Sequence, residues 1–347
     1  MARRALAIPC WMDPAASCSR RRPARRPRSN PRIRAMPSEI VPFTDDHVDS
    51  AAALLGERLS RQRAAEPVLG SDDAGEAIGE LLKTGNAGAV GVRDGRVDAF
   101  VLAAVDDDDE DFGRNAWVDA AGLATRDPEL LRDVYSFLAG RWVEMGYRRH
   151  FAVVPVLPED LDPWYRLGFH QMHVAAGIAE TRSEPPELPE GVSIREVGIE
   201  ALEDIVRIDV LIFEHQRRGP SFGLMDREAD LEDRRLGWAE LLKEAERRHF
   251  VAELDGRIVG HTGLSMPGPQ FAIPATIELE STAVEPDLRV RGIGVALVRH
   301  AFAWAADHGH PLIRTDWRVT NLLASRFWPA RGFRPVYLRL HRAVGIG

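Results

Sequence analysis

Residues Ser281–Gly294 read STAVEPDLRVRGIG, and in the following run Ile293–His308 the residues Leu297, Ala301, Trp304 and Ala305 share one helical face before Gly309 closes it. Ala275–Val284, just before, has the character of a long strand, so the glycines stand at a strand-to-helix junction. A helix start presents unpaired N–H groups and the positive end of its dipole. Gly292 and Gly294 remove side chains there, so that an anion can approach the backbone, and Arg289 and Arg291 add charge. Taken alone, two glycines also satisfy a tight strand–helix connection. A Walker loop would need Gly-Lys-Ser/Thr, but Val295 and Ala296 follow Gly294. A dinucleotide fingerprint would want Gly or Ala where Leu297 stands.

Working outward, the chain repeats itself. Val90–Leu102 (VGVRDGRVDAFVL) parallels Val251–Leu264 (VAELDGRIVGHTGL), each a strand–turn–strand pattern with Asp94-Gly95 or Asp255-Gly256 at the turn. Arg141–Gly146 parallels Ala303–Gly309, and Trp164–Phe169 (WYRLGF) parallels Trp328–Phe333 (WPARGF), all at offsets of 161–164 residues. Three pairs in one order indicate a duplicated unit. Thr181–Gly191, rich in Pro and Glu, reads as a linker between a unit at 37–180 and one at 192–347. In the second unit the pattern predicts strands at Val192–Val197, Phe250–Glu253, Ile258–Ser265, Ala275–Val284, Leu312–Trp317 and Val336–Arg342. Helices are expected over Glu200–Gln216, Asp226–Arg248, Ile293–His308 and Asn321–Arg331.

The run Ser281-Thr282-Ala283-Val284-x-Pro286-x-x-Arg289-x-x-Gly292-x-Gly294 resembles the acetyl-CoA motif of the GNAT superfamily of N-acetyltransferases. Asn321-x-x-Ala324-x-x-Phe327-Trp328-x-x-x-Gly332-Phe333 resembles that family's downstream block. The resemblance covers Val192–Gly347 with good motifs and 37–180 more weakly. It implies an α/β chain of two tandem GNAT domains, each a mostly antiparallel mixed sheet flanked by helices and splayed between two parallel strands. It further implies acetyl-CoA as cosubstrate, no metal, and direct transfer of acetyl to a primary amine seated in the cleft between the domains. Backbone groups of Thr282, Ala283 and Val284 would pair with the pantetheine arm, and one N–H would polarise the acetyl carbonyl. The amides of Arg289, Val290, Arg291, Gly292, Ile293 and Gly294 would hold the pyrophosphate, and Asn321 would bond the cofactor near the pantetheine.

An alkylammonium must lose a proton before it can attack a thioester, so a base is required. Glu278 occupies the slot where several members of the family carry a catalytic glutamate, and Asp316 a position that carries the base in others. Glu280 shares Glu278's face, with a solvated strand carboxylate as its plainer reading. Close carboxylates could raise one another's pKa. Where the family commonly has a Tyr that protonates the departing thiolate, this chain has Trp328, whose indole does not ionise usefully. Water, Tyr337 or the substrate amine is left to supply that proton, or Trp328 serves only as bulk. The alternative function is a non-catalytic acyl-CoA-binding sensor or partner module.

In the first unit, Arg126-Asp127-Pro128-Glu129-Leu130-Leu131 stands where the glycine loop should be. Carboxylates there would repel pyrophosphate and serve as a helix cap, so that unit is expected to be degenerate. Asp106–Asp111 reads as a solvated acidic loop. His170 and His173 fall on a probable strand, three residues apart and hence on opposite faces, which argues against a shared zinc. Trp117, Trp142, Trp238 and Trp304 are expected in the core.

The chain has 347 residues and a net charge of −8, yet residues 1–36 carry ten Arg against Asp13 alone, which puts the remainder at −17. So acidic a body argues against nucleic-acid binding and for a small cationic acceptor. Cys10 and Cys18 are the only cysteines, and the folded body therefore has neither a disulfide framework nor a Cys-ligated metal. No apolar run approaches a membrane span of roughly 18 residues, and a cytoplasmic monomer or homodimer is expected. The Arg-rich 1–36 segment is expected to be disordered, either a transit-like leader or, preferably, an extension upstream of a start at Met36.

Overall fold

The two Asp-Gly pairs close matching hairpins. Asp94 and Gly95 have φ of 52° and 74°, and Asp255 and Gly256 have 51° and 74°. Left-handed backbone at both central positions is the turn whose twist suits antiparallel strands. The computed structural model describes residues 38–70, 73–109, 112–221, 231–268, 273 and 275–345. The Arg-rich segment, Cys10, Cys18 and Met36 therefore lie outside the described residues, as do Glu110 and Asp111 of the acidic run and Asp226–Asp230.

The first unit runs β1 (Glu39–Pro42), α1 (Val48–Ala65), α2 (Ala74–Lys83), β2 (Ala87–Arg93), β3 (Arg96–Asp106), β4 (Asn115–Val118) and β5 (Leu123–Thr125). It continues with α3 (Pro128–Glu144), β6 (Arg149–Pro155), α4 (Pro158–Arg166) and β7 (His170–Glu180). The second repeats the plan. It runs β8 (Val192–Val197), α5 (Leu202–Gln216), α6 (Leu231–Leu241), β9 (Arg248–Leu254), β10 (Arg257–Ser265) and β11 (Thr276–Val284). Then come α7 (Ile293–Asp307), β12 (Leu312–Arg318), α8 (Leu322–Phe327) and β13 (Arg334–Ala343). Asp73 and Asp127 cap α2 and α3 through their carboxylates, and Pro128 fills a first-turn position where a missing N–H costs nothing.

All strands but β5 join one continuous path, β1-β2-β3-β4-β6-β13-β7-β12-β11-β10-β9-β8, with β5 paired to β3. Among the described residues only β4–β6 and β11–β12 are parallel; the other pairs are antiparallel. The chain's last strand, β13, lies between β6 and β7 of the first unit, while β7 lies between β13 and β12 of the second. Each unit thus lends its final strand to the other's sheet. One apolar core follows this exchange. It reaches from Leu131, Tyr135 and Trp142 on α3, through Val174 and Leu340, to Leu297, Ala301 and Ala305 on α7. Helices α1 and α2 cover β2 and β3 in a second cluster, and α5 and α6 pack with Val251 and Ile258 in another. Arg334 adds a two-point ion pair to Glu66 across the units, at 2.6 and 2.8 Å.

Two helices end earlier than their patterns indicate. The Asp226–Arg248 helix stops at Leu241, because Arg248 enters β9 opposite Leu264 and the next two residues are buried. The Asn321–Arg331 helix stops at Phe327, because Pro329 cannot donate to the carbonyl four residues back, and a 3-10 turn finishes the segment. Trp142 and Trp238 are core residues, whereas Trp117 and Trp304 are half-buried. His170 is exposed beside His341 and His173 is buried, so the two histidines keep separate company.

Since Leu340 is fully buried at the exchange, Leu340→Ala should cost about 2–5 kcal/mol. In urea unfolding followed by tryptophan fluorescence and far-UV circular dichroism, both probes should shift together. A transition untouched by the substitution would mean that the units unfold independently.

Candidate functional site

β11 and β12 pair only at Thr276, Ile277 and Glu278, opposite Leu312, Ile313 and Arg314. Beyond that point the strands part. On the other side of β11, Leu264 pairs with Leu279 but Thr262 with Thr282, so β11 carries one extra residue. Such a bulge turns the strand and reverses the alternation of its side chains. The Thr282 hydroxyl then meets that of Thr262 at 2.8 Å, and Thr315 Oγ1 donates to the Leu279 carbonyl at 2.8 Å. From Glu280 to Val284 the edge of β11 that faces β12 has no strand partner.

The opened strands border a cavity of about 600 Å³. Thr282, Ala283, Val284, Arg289, Val290, Gly292, Ile293, Gly294 and Asn321 all line it; Arg291 does not. Gly292 has φ of 87° and begins α7 with no side-chain cap. The first α-helical bond from α7 is Ala296 N–H to the Gly292 carbonyl, at 2.9 Å, which leaves the first-turn amides without helical acceptors. Val290 is left-handed too, with φ of 61°, and is wholly exposed. A β-branched residue in that region is strained by about 1–3 kcal/mol. Burial disfavours the charge of Arg289 and of Arg331, which also lines the cavity. Neither has a carboxylate within salt-bridge reach among the described residues; Arg331 instead lies over the Phe327 ring, 4.6 Å from its centroid. Unpaired half-buried cations beside free amides suit a ligand with several negative charges.

Three carboxylates gather where the strands part. Glu280 and Asp316 line the cavity; Glu278 does not. Glu278 accepts from Arg314 at 2.6 Å, yet burial lifts its pKa above the usual range despite that partner, with the charges of Asp316 and Glu280 adding to the rise. Glu280 is ion-paired with Arg247. Burial also acts to raise Asp316, but the neighbouring His173, Arg339 and Arg314 outweigh it and hold Asp316 low. His173 is itself depressed by burial. Arg339 donates to its Nδ1 at 2.5 Å, so in the neutral ring Nε2 carries the proton and points toward Asp316, 3.4 Å away.

Asn321 lines the cavity but spends its carbonyl oxygen on capping α8, accepting from Leu323 N–H and Ala324 N–H at 3.2 Å each. Trp328 reaches the cavity wall while packed edge-on against Phe327 and Phe333. Tyr337 is not on that wall, and its hydroxyl donates to Gln62 at 3.3 Å. Sequence reasoning missed Arg331 and the α5 residues Leu211, Ile212, Phe213, His215 and Gln216, all of which line the cavity. The Arg331 signal was available as a basic residue within the downstream block. The α5 residues carry no motif.

At the equivalent helix start in the first unit, Asp127 accepts from Glu129 N–H at 2.9 Å and Leu130 N–H at 3.4 Å, and pairs with Arg93 at 2.6 Å. The amides that would meet an anion are already taken by the chain's own carboxylate. Asp107 of the acidic loop is held by Arg114 at 2.7 Å, as a solvated loop would be.

Residues 211–333 match the Acetyltransferase (GNAT) family. The tRNA(Met) cytidine acetyltransferase TmcA of Aeropyrum pernix is 29% identical over 30% of this chain and 17% of its own length. An uncharacterized N-acetyltransferase of Methanocaldococcus jannaschii is 31% identical over 27% of this chain and 42% of its own. The chain thus spans less than half the length of either relative. A solved tandem GNAT protein from the clavulanic acid biosynthesis pathway covers 90% of this chain and 100% of itself, with a TM-score of 0.51 at 18% identity. The last likeness is one of fold.

Relief of the Val290 strain should outweigh the entropy that glycine adds to the unfolded chain. Val290→Gly is therefore expected to stabilise the protein by about 1 kcal/mol, measured by urea denaturation. A loss of stability would show that the Val290 side chain has an unrecognised role.

Proposed function

We propose that this chain, a member of the GNAT acetyltransferase family, uses its second unit to move acetyl from acetyl-CoA to a primary amine. The observation that carries this reading is the joining in one cavity wall of the unpaired edge at Thr282–Val284, the uncapped start of α7 and the cations Arg289 and Arg331, which have no carboxylate partner among the described residues. Gly292 leaves the backbone open for a pyrophosphate, and the amides of Ile293, Gly294 and Val295 would donate to it. The edge of β11 would take the amide groups of the pantetheine arm as a neighbouring strand does. An N–H of that edge, aimed at the carbonyl oxygen, would stabilise the charge that develops there. The first unit, with Asp127 across its helix start, serves as scaffold and as one wall of the acceptor site.

The cosubstrate supplies an acetyl thioester that a neutral amine can attack: a carbon–nitrogen bond forms and the carbon–sulfur bond breaks. Glu280 and Asp316, on the cavity wall, attract and orient the ammonium. Glu278 stands behind them with a carboxyl that burial has made more basic, and takes the amine proton through an intervening water. Trp328 packs against the cofactor end of the cavity, and water returns a proton to the thiolate. The acidic body favours a small cationic acceptor, and the fold itself does not choose among amines.

A thiol-release assay with a panel of alkylamines, polyamines and aminoglycosides tests the reading. Saturable release with at least one amine is expected, and release with none would overturn it. Glu278→Gln should lower kcat by roughly 100-fold and leave acetyl-CoA affinity unchanged by calorimetry; an unchanged kcat would remove Glu278 from the mechanism. Gly292→Glu should weaken acetyl-CoA binding at least tenfold, since it forces a carboxylate and a left-handed non-glycine into the anion cradle. Undiminished affinity would place the cofactor elsewhere.

A further inference from the structure

A second, smaller cavity of about 90 Å³ adjoins the first, and His173 and Asp316 line both. That volume holds several waters or the end of an aminoalkyl chain. Its far wall comes from the first unit, where Trp117 lies on β4 and Asp119 follows the parallel pairing of β4 with β6, as Glu280 follows that of β11 with β12. Because β7 and β13 lie between the two parallel pairs, the two openings share one continuous sheet.

Asp119 differs from the other carboxylates nearby. Among the described residues its side-chain partner is the Trp117 indole, which donates to Oδ1 at 3.0 Å, and no cation stands within salt-bridge reach of it. Glu280 and Glu278, by contrast, each have an arginine. Burial raises the Asp119 pKa and the indole bond only partly offsets it, as expected of a carboxylate short of a counter-charge. Arg339 is in the same cavity but is turned to His173 Nδ1 and lies over the rings of Phe112 and Trp117. Two carboxylates against one guanidinium leave the pocket net negative. Between them His173, nine-tenths buried, offers an Nε2 with no partner at hydrogen-bond geometry.

We infer that Asp119 of the degenerate first unit anchors a second ammonium group of the acceptor, so that the protein selects di- or polyamines over monoamines. This rests on the second unit being the transferase. The reacting amine lies at Asp316 and Glu280, the aminoalkyl chain passes His173, and the distal ammonium displaces water to meet the free oxygen of Asp119. The His173 Nε2–H is placed to donate to a hydroxyl or amine nitrogen on that chain. The first unit has thus kept the opening of its sheet as a binding surface although its helix start no longer admits an anion.

The test is calorimetry on the CoA-saturated protein with linear α,ω-diamines of three to eight carbons and the matching monoamines, together with thiol release. In the native protein at least one diamine should bind at least tenfold more tightly than its monoamine. Asp119→Asn, which keeps the indole's acceptor, should remove that preference while leaving monoamine and acetyl-CoA affinities within twofold. Equal binding of diamines and monoamines, or a preference that survives Asp119→Asn, overturns the inference. Diamine binding that depends on Asp119 but gives no thiol release would uphold the subsite and sink the transferase reading instead.

Discussion

The antiparallel pairing of β7 with β13 is the constraint on which the remaining structure depends. It places the final strand of each repeat inside the sheet of the other, so neither repeat has a complete sheet of its own. The apolar core follows the same path, since Val174 on β7 and Leu340 on β13 bridge the clusters under α3 and α7. The exchange also sets the spacing of the functional groups. Arg339 pairs opposite His173 on adjacent strands, and Arg318, two residues beyond Asp316, pairs opposite His173 from the other side. Asp119 and Glu280 therefore border openings in one continuous sheet.

Much of this was legible in the sequence because it depends on local geometry. The Asp-Gly hairpins, the glycine loop and the Asp127 cap are short-range signals, and the structure has each where the residues require it. The parallel strands that part were implied by the resemblance alone. The exchange of β7 and β13 was not legible at all. Both strands read as ordinary apolar runs, and nothing local says which of two equivalent neighbours each will choose, as strand partners are fixed by long-range packing.

The carboxylates show a subtler limit. Period-two alternation says nothing of how far along the opening Glu278 and Glu280 each lie. That depends on where β12 leaves β11, just after the last pairing, which is at Glu278 itself. Glu278 is therefore still inside the paired region, held by Arg314, while Glu280 is beyond it at the cavity wall. Arg331 escaped notice for a related reason: its position on the wall follows from the break in the helix at Pro329.

The exchanged strands also bear on how the protein is made. β7 ends at Glu180 and β13 begins at Arg334, 154 residues later. At about 5–20 residues per second of synthesis, the slot between β6 and β7 waits roughly 8–30 s for the strand that fills it. Through that interval β6 lacks one of its final neighbours, and β7 lacks both until β12 is made, the condition that invites pairing with a neighbouring chain. The late arrival of β13 makes the period of translation, rather than the finished fold, the stage at which this protein is most exposed to misassembly.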